Sequence, residues 1–153
     1  TLLRAAIDAL KPDRFGQMGP APEMAPPYRR IASRAALESA AVRFRNCAAG
    51  YVWETGADEM ALYVREGDLP ALIALKRDIG GWRLAEALAP ENAALSDEAL
   101  GDVAEEFARA GVRLGPPVRT IEDRLEELAD AMNRVQAAPV TLRAALGLGQ
   151  LWR

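Results

Sequence analysis

Residues 59–88 constrain the fold more than any other part of the chain, because two glycine-containing pairs divide them into three short apolar runs. Gly67-Asp68 and Gly80-Gly81 are two-residue loops of the kind that join antiparallel strands, since glycine adopts positive φ without steric cost. This pattern predicts a three-stranded antiparallel meander.

A two-residue loop also predicts which residues pair across the strands. Closing the first hairpin on Gly67-Asp68 places Leu62 opposite Ile73 and produces one apolar face. We expect that face to pack against helices, and it contains Met60, Leu62, Val64, Ile73 and Leu75. Closing the second hairpin on Gly80-Gly81 pairs Asp78 with Arg83 as a cross-strand ion pair.

A second interpretation replaces the middle strand with a helix. Asp68 would be its N-cap, Pro70 would lie in its first turn and Gly80 would end it. The intervening Ala and Leu residues are strong helix formers, and periodicity alone does not assign short apolar runs. The predicted fold class is therefore α+β, with an all-α fold as the alternative.

The segments on either side of residues 59–88 have helical patterns. Residues 1–10 and 28–48 are each predicted to form a helix. Between them, residues 11–27 hold five of the ten prolines and are predicted to be an extended connector. Ser96 precedes two acidic residues, as an N-cap does, and Gly111 is placed where a helix ends in the Schellman motif.

The C-terminal part carries a different helical pattern, which begins at Thr120. Five apolar residues follow the 4-3-4-3 spacing of a coiled-coil seam: Ile121, Leu125, Leu128, Met132 and Val135. The helices at 28–48 and 96–110 are expected to cover one face of the meander. The helix from Thr120 then either covers the other face or leaves its seam, with the apolar tail around Trp152, for a protein partner or a second copy.

These patterns divide the chain into three regions. Residues 1–27 form the N-terminal helix and proline-rich connector, residues 28–115 the α+β core, and residues 116–153 a helical C-terminal extension.

The chain contains one cysteine and no histidine, which narrows its chemistry. The absence of histidine excludes Ser-His-Asp and Cys-His catalysis and His-based zinc sites. A single cysteine excludes an internal disulfide and fits a reducing, cytoplasmic compartment. The sequence has no run of 18 or more apolar residues, so it predicts no membrane span. It predicts no cofactor and no metal.

Charge is distributed unevenly. Residues 1–50 carry eight basic and four acidic side chains, and residues 91–130 carry four basic and eleven acidic ones. The helix predicted at 28–48 concentrates five arginines: Arg29, Arg30, Arg34, Arg43 and Arg45. Either they pair with the acidic C-terminal half, or they contact nucleic-acid phosphates. The overall charge of −3 disfavours a dedicated nucleic-acid binder.

The order of features over residues 37–112 resembles that of the PcfJ-like proteins of conjugative plasmids and phages. The matching pieces are Asn46-Cys47, Tyr51, Gly56, the strands to Leu88, Glu91-Asn92 and the helix from Ser96. The resemblance covers about half of the chain. It implies an α+β fold and a bacterial mobile-element context, and it implies no particular reaction.

The resemblance places Asn46, Cys47 and Asn92 together, where the end of a helix meets the end of the meander. A structural role is the simplest hypothesis, with Cys47 buried as a small hydrophobe and the asparagines capping turns. A hydrolase centred on Cys47, or on Glu86 and Glu91, is an alternative. The sequence therefore predicts a non-catalytic, protein-binding module, with a nucleic-acid-associated module and a hydrolase as alternatives.

Overall fold

The computed structural model describes residues 2–16, 20–118, 125, 129 and 132. The fold is α+β, as predicted, and its centre is a four-stranded antiparallel sheet in the order β1-β2-β3-β4. The strands are Tyr28–Arg30 (β1), Met60–Arg65 (β2), Ala71–Asp78 (β3) and Gly81–Leu88 (β4). The helices are Leu2–Ala9 (α1), Arg34–Phe44 (α2), Val52–Gly56 (α3) and Asp97–Arg109 (α4), with 3₁₀ turns at Ala48–Tyr51 and Pro90–Asn92.

Strand β1 is the main departure from the predicted fold. Residues 28–48 were predicted to be one helix, but Arg29 lies opposite Val64 in an antiparallel pair with β2. The helix begins only at α2, where the Ser33 hydroxyl accepts a hydrogen bond from the Ala36 amide at 3.2 Å. Pairing with a strand over 30 residues away is invisible to local helix propensity, which explains the wrong prediction.

Strands β2 and β3 pair one residue away from the predicted register. Val64 lies opposite Leu72 rather than opposite Ala71, because the hairpin loop comprises residues 66–70 instead of two residues. A one-residue slip moves a strand's side chains to the other face. The prediction of a single apolar face is therefore wrong, because Ile73 and Leu75 face away from Met60, Leu62 and Val64.

The second hairpin also closes one position earlier than predicted. Asp78 pairs with Gly81, which leaves Ile79-Gly80 as the loop, and an irregularity further along shifts the register by one residue. Asp78 nevertheless contacts Arg83, with 3.8 Å between a carboxylate oxygen and Nε. The ion pair that the sequence predicted exists, but it is diagonal rather than directly cross-strand.

Different helices cover the two faces of the sheet. One face packs against α2 and the following 3₁₀ turn, in a core that includes Leu37, Phe44, Met60, Leu62, Val64 and Leu72. The other packs against α4 and part of the connector, in a core that includes Tyr63, Ile73, Leu75, Val103 and Phe107. The expectation that these two helices cover only one face is therefore wrong.

Helix α4 begins and ends as the sequence predicts. The Ser96 hydroxyl accepts a hydrogen bond from the Ala99 amide at 3.2 Å, which satisfies one donor of the first turn. At the other end Gly111 has a φ of 84°, and the Val112 amide donates to the Phe107 carbonyl at 3.0 Å. This is the Schellman motif, and both of its apolar members lie in the same core.

The proline-rich connector packs along the sheet. Phe15 and Ala21 are buried. The Tyr63 hydroxyl donates to the Pro22 carbonyl at 2.6 Å, and the Trp82 indole donates to the Pro20 carbonyl at 3.3 Å. The connector therefore contributes to both cores, although its described part, residues 11–16 and 20–27, has no helix.

The chain divides into two units, Thr1–Pro117 and Val118–Arg153. In the second unit, Leu125 and Met132 are helical and exposed by 59% and 46%. The remaining residues of the predicted partner surface lie outside the described residues: Ile121, Leu128, Val135 and Trp152. Over the described part of the chain, no helix has the length and apolar character needed to cross a membrane.

Candidate functional site

A cavity of about 180 Å³ lies between the end of α2 and the last two strands. Its walls include all four residues singled out by the motif: Asn46, Cys47, Tyr51 and Asn92. Leu62, Leu72 and Leu88 supply apolar surface, and Glu86 supplies a carboxylate. The structure therefore brings together residues that lie up to 46 positions apart in the sequence.

One wall of the cavity is formed by the turn that ends α2. Arg45 adopts a left-handed φ of 49°, and the Asn46 amide donates to the Ala41 carbonyl at 3.1 Å. The Asn46 side-chain oxygen then accepts a hydrogen bond from the Ala48 amide at 3.0 Å. This local turn is the capping role predicted for Asn46, and it directs the chain into the 3₁₀ turn that carries Tyr51.

The opposite wall is the turn after β4. Glu91 and Asn92 both adopt left-handed φ, at 62° and 58°. This conformation costs about 1–2 kcal/mol for Glu91, whereas asparagine tolerates it better. The Glu91 carboxylate accepts a hydrogen bond from Arg45 at 2.8 Å. Because both side chains are well exposed, this ion pair contributes little stability, but it joins the end of α2 to the turn beside the cavity.

Cys47 is exposed, which contradicts the prediction that it is buried. The buried position at this corner is taken by Ala48, which is 2% exposed. A turn that reverses the chain directly after a helix directs neighbouring side chains to opposite sides, and sequence patterning does not show which one faces the core.

We expect Cys47→Ser to change the free energy of unfolding by less than about 0.5 kcal/mol, because an exposed thiol contributes little packing. Urea denaturation followed by circular dichroism measures this change. Ala48→Ser is the matched comparison, since it places a hydroxyl at the adjacent buried position and should destabilise the fold. A larger loss for Cys47→Ser than for Ala48→Ser would show that the thiol packs in the core.

A second cavity, of about 150 Å³, adjoins the first and shares Tyr51, Ala74 and Glu86 with it. It adds Lys76 and Arg83, which lie directly opposite each other on β3 and β4. Burial, followed by the negative charge of Glu86, raises the pKa of the Tyr51 hydroxyl. The hydroxyl is therefore protonated at neutral pH and can donate as well as accept.

Lys76 and Arg83 were not among the site residues predicted from the sequence. A prediction with the true register of β3 and β4 would have found them, because that register places both on the same face as Glu86. The predicted register paired Arg83 with Asp78 instead, which hid this arrangement.

The five arginines do not form one helical face, because Arg29 and Arg30 lie on β1 and the others on or next to α2. Arg29 and Arg43 both donate to the Glu66 carboxylate, at 3.1 and 2.6 Å. These hydrogen bonds, that from Arg43 first, lower the pKa of Glu66. The two arginines thus share one carboxylate.

The other arginines have separate surroundings. Arg34 donates to Asp8 at 2.8 Å and to Glu38 at 2.9 Å, and Arg45 pairs with Glu91. Arg30 extends over Gly16, where an added Cβ would lie 2.3 Å from its guanidinium. Four of the five therefore pair with acids. Within residues 2–16 and 20–118, Arg45 is the one whose partner lies in the acidic region from residue 91 onward, and most of that region beyond residue 118 lies outside the described residues.

The two carboxylates proposed for a hydrolase have different surroundings. Glu86 lines both cavities, whereas Glu91 pairs with Arg45. In residues 2–16 and 20–118, together with 125, 129 and 132, no three Cys, Asp or Glu side chains are grouped so that they could hold a metal ion.

The fold and the cavity define an α+β domain with a small mixed polar and apolar site. No protein-family model matches the chain, and neither a curated protein nor a solved structure is significantly similar to it.

Proposed function

We propose that the protein is a non-catalytic interaction module that binds a protein partner, or a second copy of itself, through the seam of the helix at residues 120–138. The observation that supports this most strongly is that both faces of the sheet are covered from within Thr1–Pro117. Each face of the sheet therefore already packs against a helix of this unit, without the seam.

The exposure of the seam supports the same conclusion. Leu125 and Met132 are seven positions apart, so they lie on the same side of a helix, and both are substantially exposed. Burying a side chain of this size contributes about 1.5–3 kcal/mol, which is available for binding. The narrow seam matches a helical partner better than a flat surface.

The arginine pairing favours a protein partner over nucleic acid. Phosphate binding requires basic side chains that can neutralise phosphates, whereas Arg29, Arg34, Arg43 and Arg45 already pair with carboxylates. The resemblance to PcfJ-like proteins supports a bacterial, cytoplasmic, mobile-element context as part of this proposal.

The test is the double substitution Leu125→Glu with Leu128→Glu in the full chain. We expect it to abolish association, because burying two carboxylates in an apolar seam removes their hydration, which costs free energy. Sedimentation velocity measures self-association, and a pull-down measures binding to a partner. The thermal unfolding of the core, followed by circular dichroism, should remain unchanged.

Glu126→Gln with Asp130→Asn is the matched control, since these residues follow the same helical repeat on the side away from the seam. It should leave association intact. If the Leu125 and Leu128 variant instead melts the whole domain, the seam is core packing. If the variant still associates, the partner surface lies elsewhere.

A further inference from the structure

The two adjoining cavities form one groove on the face of β3 and β4 that α2 packs against. Ala74 lies opposite Glu86, and two residues further along β3 Lys76 lies opposite Arg83. The groove thus passes from an apolar end at Leu72 and Leu88 to a basic end at Lys76 and Arg83.

The charges along this groove alternate. Glu86 and Tyr51 line both cavities, and the negative charge of Glu86 acts on the Tyr51 hydroxyl. At the basic end the Arg83 Nε is 3.8 Å from Asp78, a carboxylate that Arg113 holds more closely, at 2.7 Å. The Arg83 Nε is buried and makes no hydrogen bond within the described part of the chain, and Lys76 adds a second basic group at this end.

We propose that the groove binds a small α-amino acid with a compact aliphatic side chain, such as L-leucine. Its ammonium group would bind Glu86 and the Tyr51 oxygen, and its carboxylate would bind Lys76 and Arg83. Its side chain would occupy the apolar end. This site is separate from the seam at residues 120–138 and does not depend on the function proposed for that seam.

Size and charge together select this ligand class. The first cavity, where Leu62, Leu72 and Leu88 lie beside Asn46 and Asn92, has a volume of about 180 Å³. This is smaller than the usual 300–1,000 Å³ of drug-sized sites, so it suits a group the size of one side chain. A simple carboxylic acid would meet repulsion from Glu86, and a simple amine would meet repulsion from Lys76 and Arg83. A zwitterion satisfies both ends.

The single cysteine provides a reporter inside the site. Cys47 is exposed and lines the apolar cavity, so a bound ligand should shield its thiol. The experiment measures the rate at which iodoacetamide alkylates Cys47 in the full chain as L-leucine is added at millimolar concentrations. We expect the rate to fall saturably, with the same midpoint as binding measured by isothermal titration calorimetry.

Two analogues that retain the leucine side chain test the charges separately. N-acetyl-L-leucine lacks the ammonium group, and L-leucinamide lacks the carboxylate. Each is expected to bind about tenfold more weakly than L-leucine, because each loses hydrogen bonds to a charged group and leaves the opposing charge unpaired. Equal binding of all three compounds would overturn the proposal.

Substitutions locate the ligand. Glu86 and Lys76 are exposed, so we expect Glu86→Gln and Lys76→Gln to fold as the wild type does, and thermal unfolding of each variant checks this. Glu86→Gln should weaken L-leucine about tenfold and remove the discrimination against N-acetyl-L-leucine. Lys76→Gln should weaken it several-fold and reduce the discrimination against L-leucinamide.

Arg77→Gln is the matched control, because Arg77 is on the same strand but packs over Trp82 on the other face of the sheet. It should bind L-leucine as the wild type does, and protection of Cys47 is compared with and without ligand within each variant. Absence of saturable protection in the wild type, or unchanged affinity in Glu86→Gln, would overturn the proposal.

Discussion

Ile73→Asp is expected to unfold the domain. Ile73 is fully buried at 0% exposure, between Tyr63 on β2 and Ala87 on β4, in the core that packs against α4. An unpaired carboxylate in such a site costs several kcal/mol. That cost is comparable with the whole stability of a typical domain, about 5–15 kcal/mol. Far-ultraviolet circular dichroism and urea titration measure the result.

Ile79→Asp is the matched control for this prediction. The substitution is chemically identical, but Ile79 lies in the β3–β4 loop and is 72% exposed. Its effect should stay within about 0.5 kcal/mol. A cooperative transition of wild-type stability in Ile73→Asp would show that β3 is not a central strand of the sheet.

Phe107→Ala is expected to destabilise the domain by about 3–5 kcal/mol. The Phe107 ring is fully buried and meets the rings of Tyr28 and Tyr63 edge to face, at centroid distances of 5.1 and 5.3 Å. Removing the ring leaves a cavity and removes both aromatic contacts. Chemical denaturation with urea measures the change in the free energy of unfolding.

Leu100→Ala is a suitable comparison for Phe107→Ala, because Leu100 lies on the same helix and is 41% exposed. Its loss of stability should be distinctly smaller. If Phe107→Ala costs no more than Leu100→Ala, then α4 does not close the second face of the sheet. The seam at residues 120–138 would then have a face of the sheet that it could pack against instead of a partner.

Several features of this protein are determined by residues close together in the sequence, and they were predicted correctly. The Ser96 cap and the Gly111 ending of α4 are each made by residues within a few positions of one another, as is the turn made by Asn46. Gly67 and Gly81 do adopt the positive φ expected of them. Such features depend on short-range hydrogen bonds and steric freedom, so the local pattern is enough to predict them.

Tertiary structure decided the pairing of the strands. Strand β1 exists because Tyr28–Arg30 meets β2, a partner distant in the sequence, and helix propensity carries no information about that contact. Gly67-Asp68 predicted a two-residue loop between β2 and β3, but the loop has five residues, and this difference shifts the register of the two strands. Because side chains alternate along a strand, that single slip determined which residues face α2 and which face α4.

Long-range strand pairing also decides which residues form the candidate site. The resemblance to PcfJ-like proteins implied that Asn46, Cys47 and Asn92 lie near one another, but the prediction assigned Cys47 to the core and left Lys76 and Arg83 out. The cavity is made of residues from four separate segments, and which of their side chains face it depends on register and on how α2 ends. These are long-range packing choices, and only the folded chain makes them.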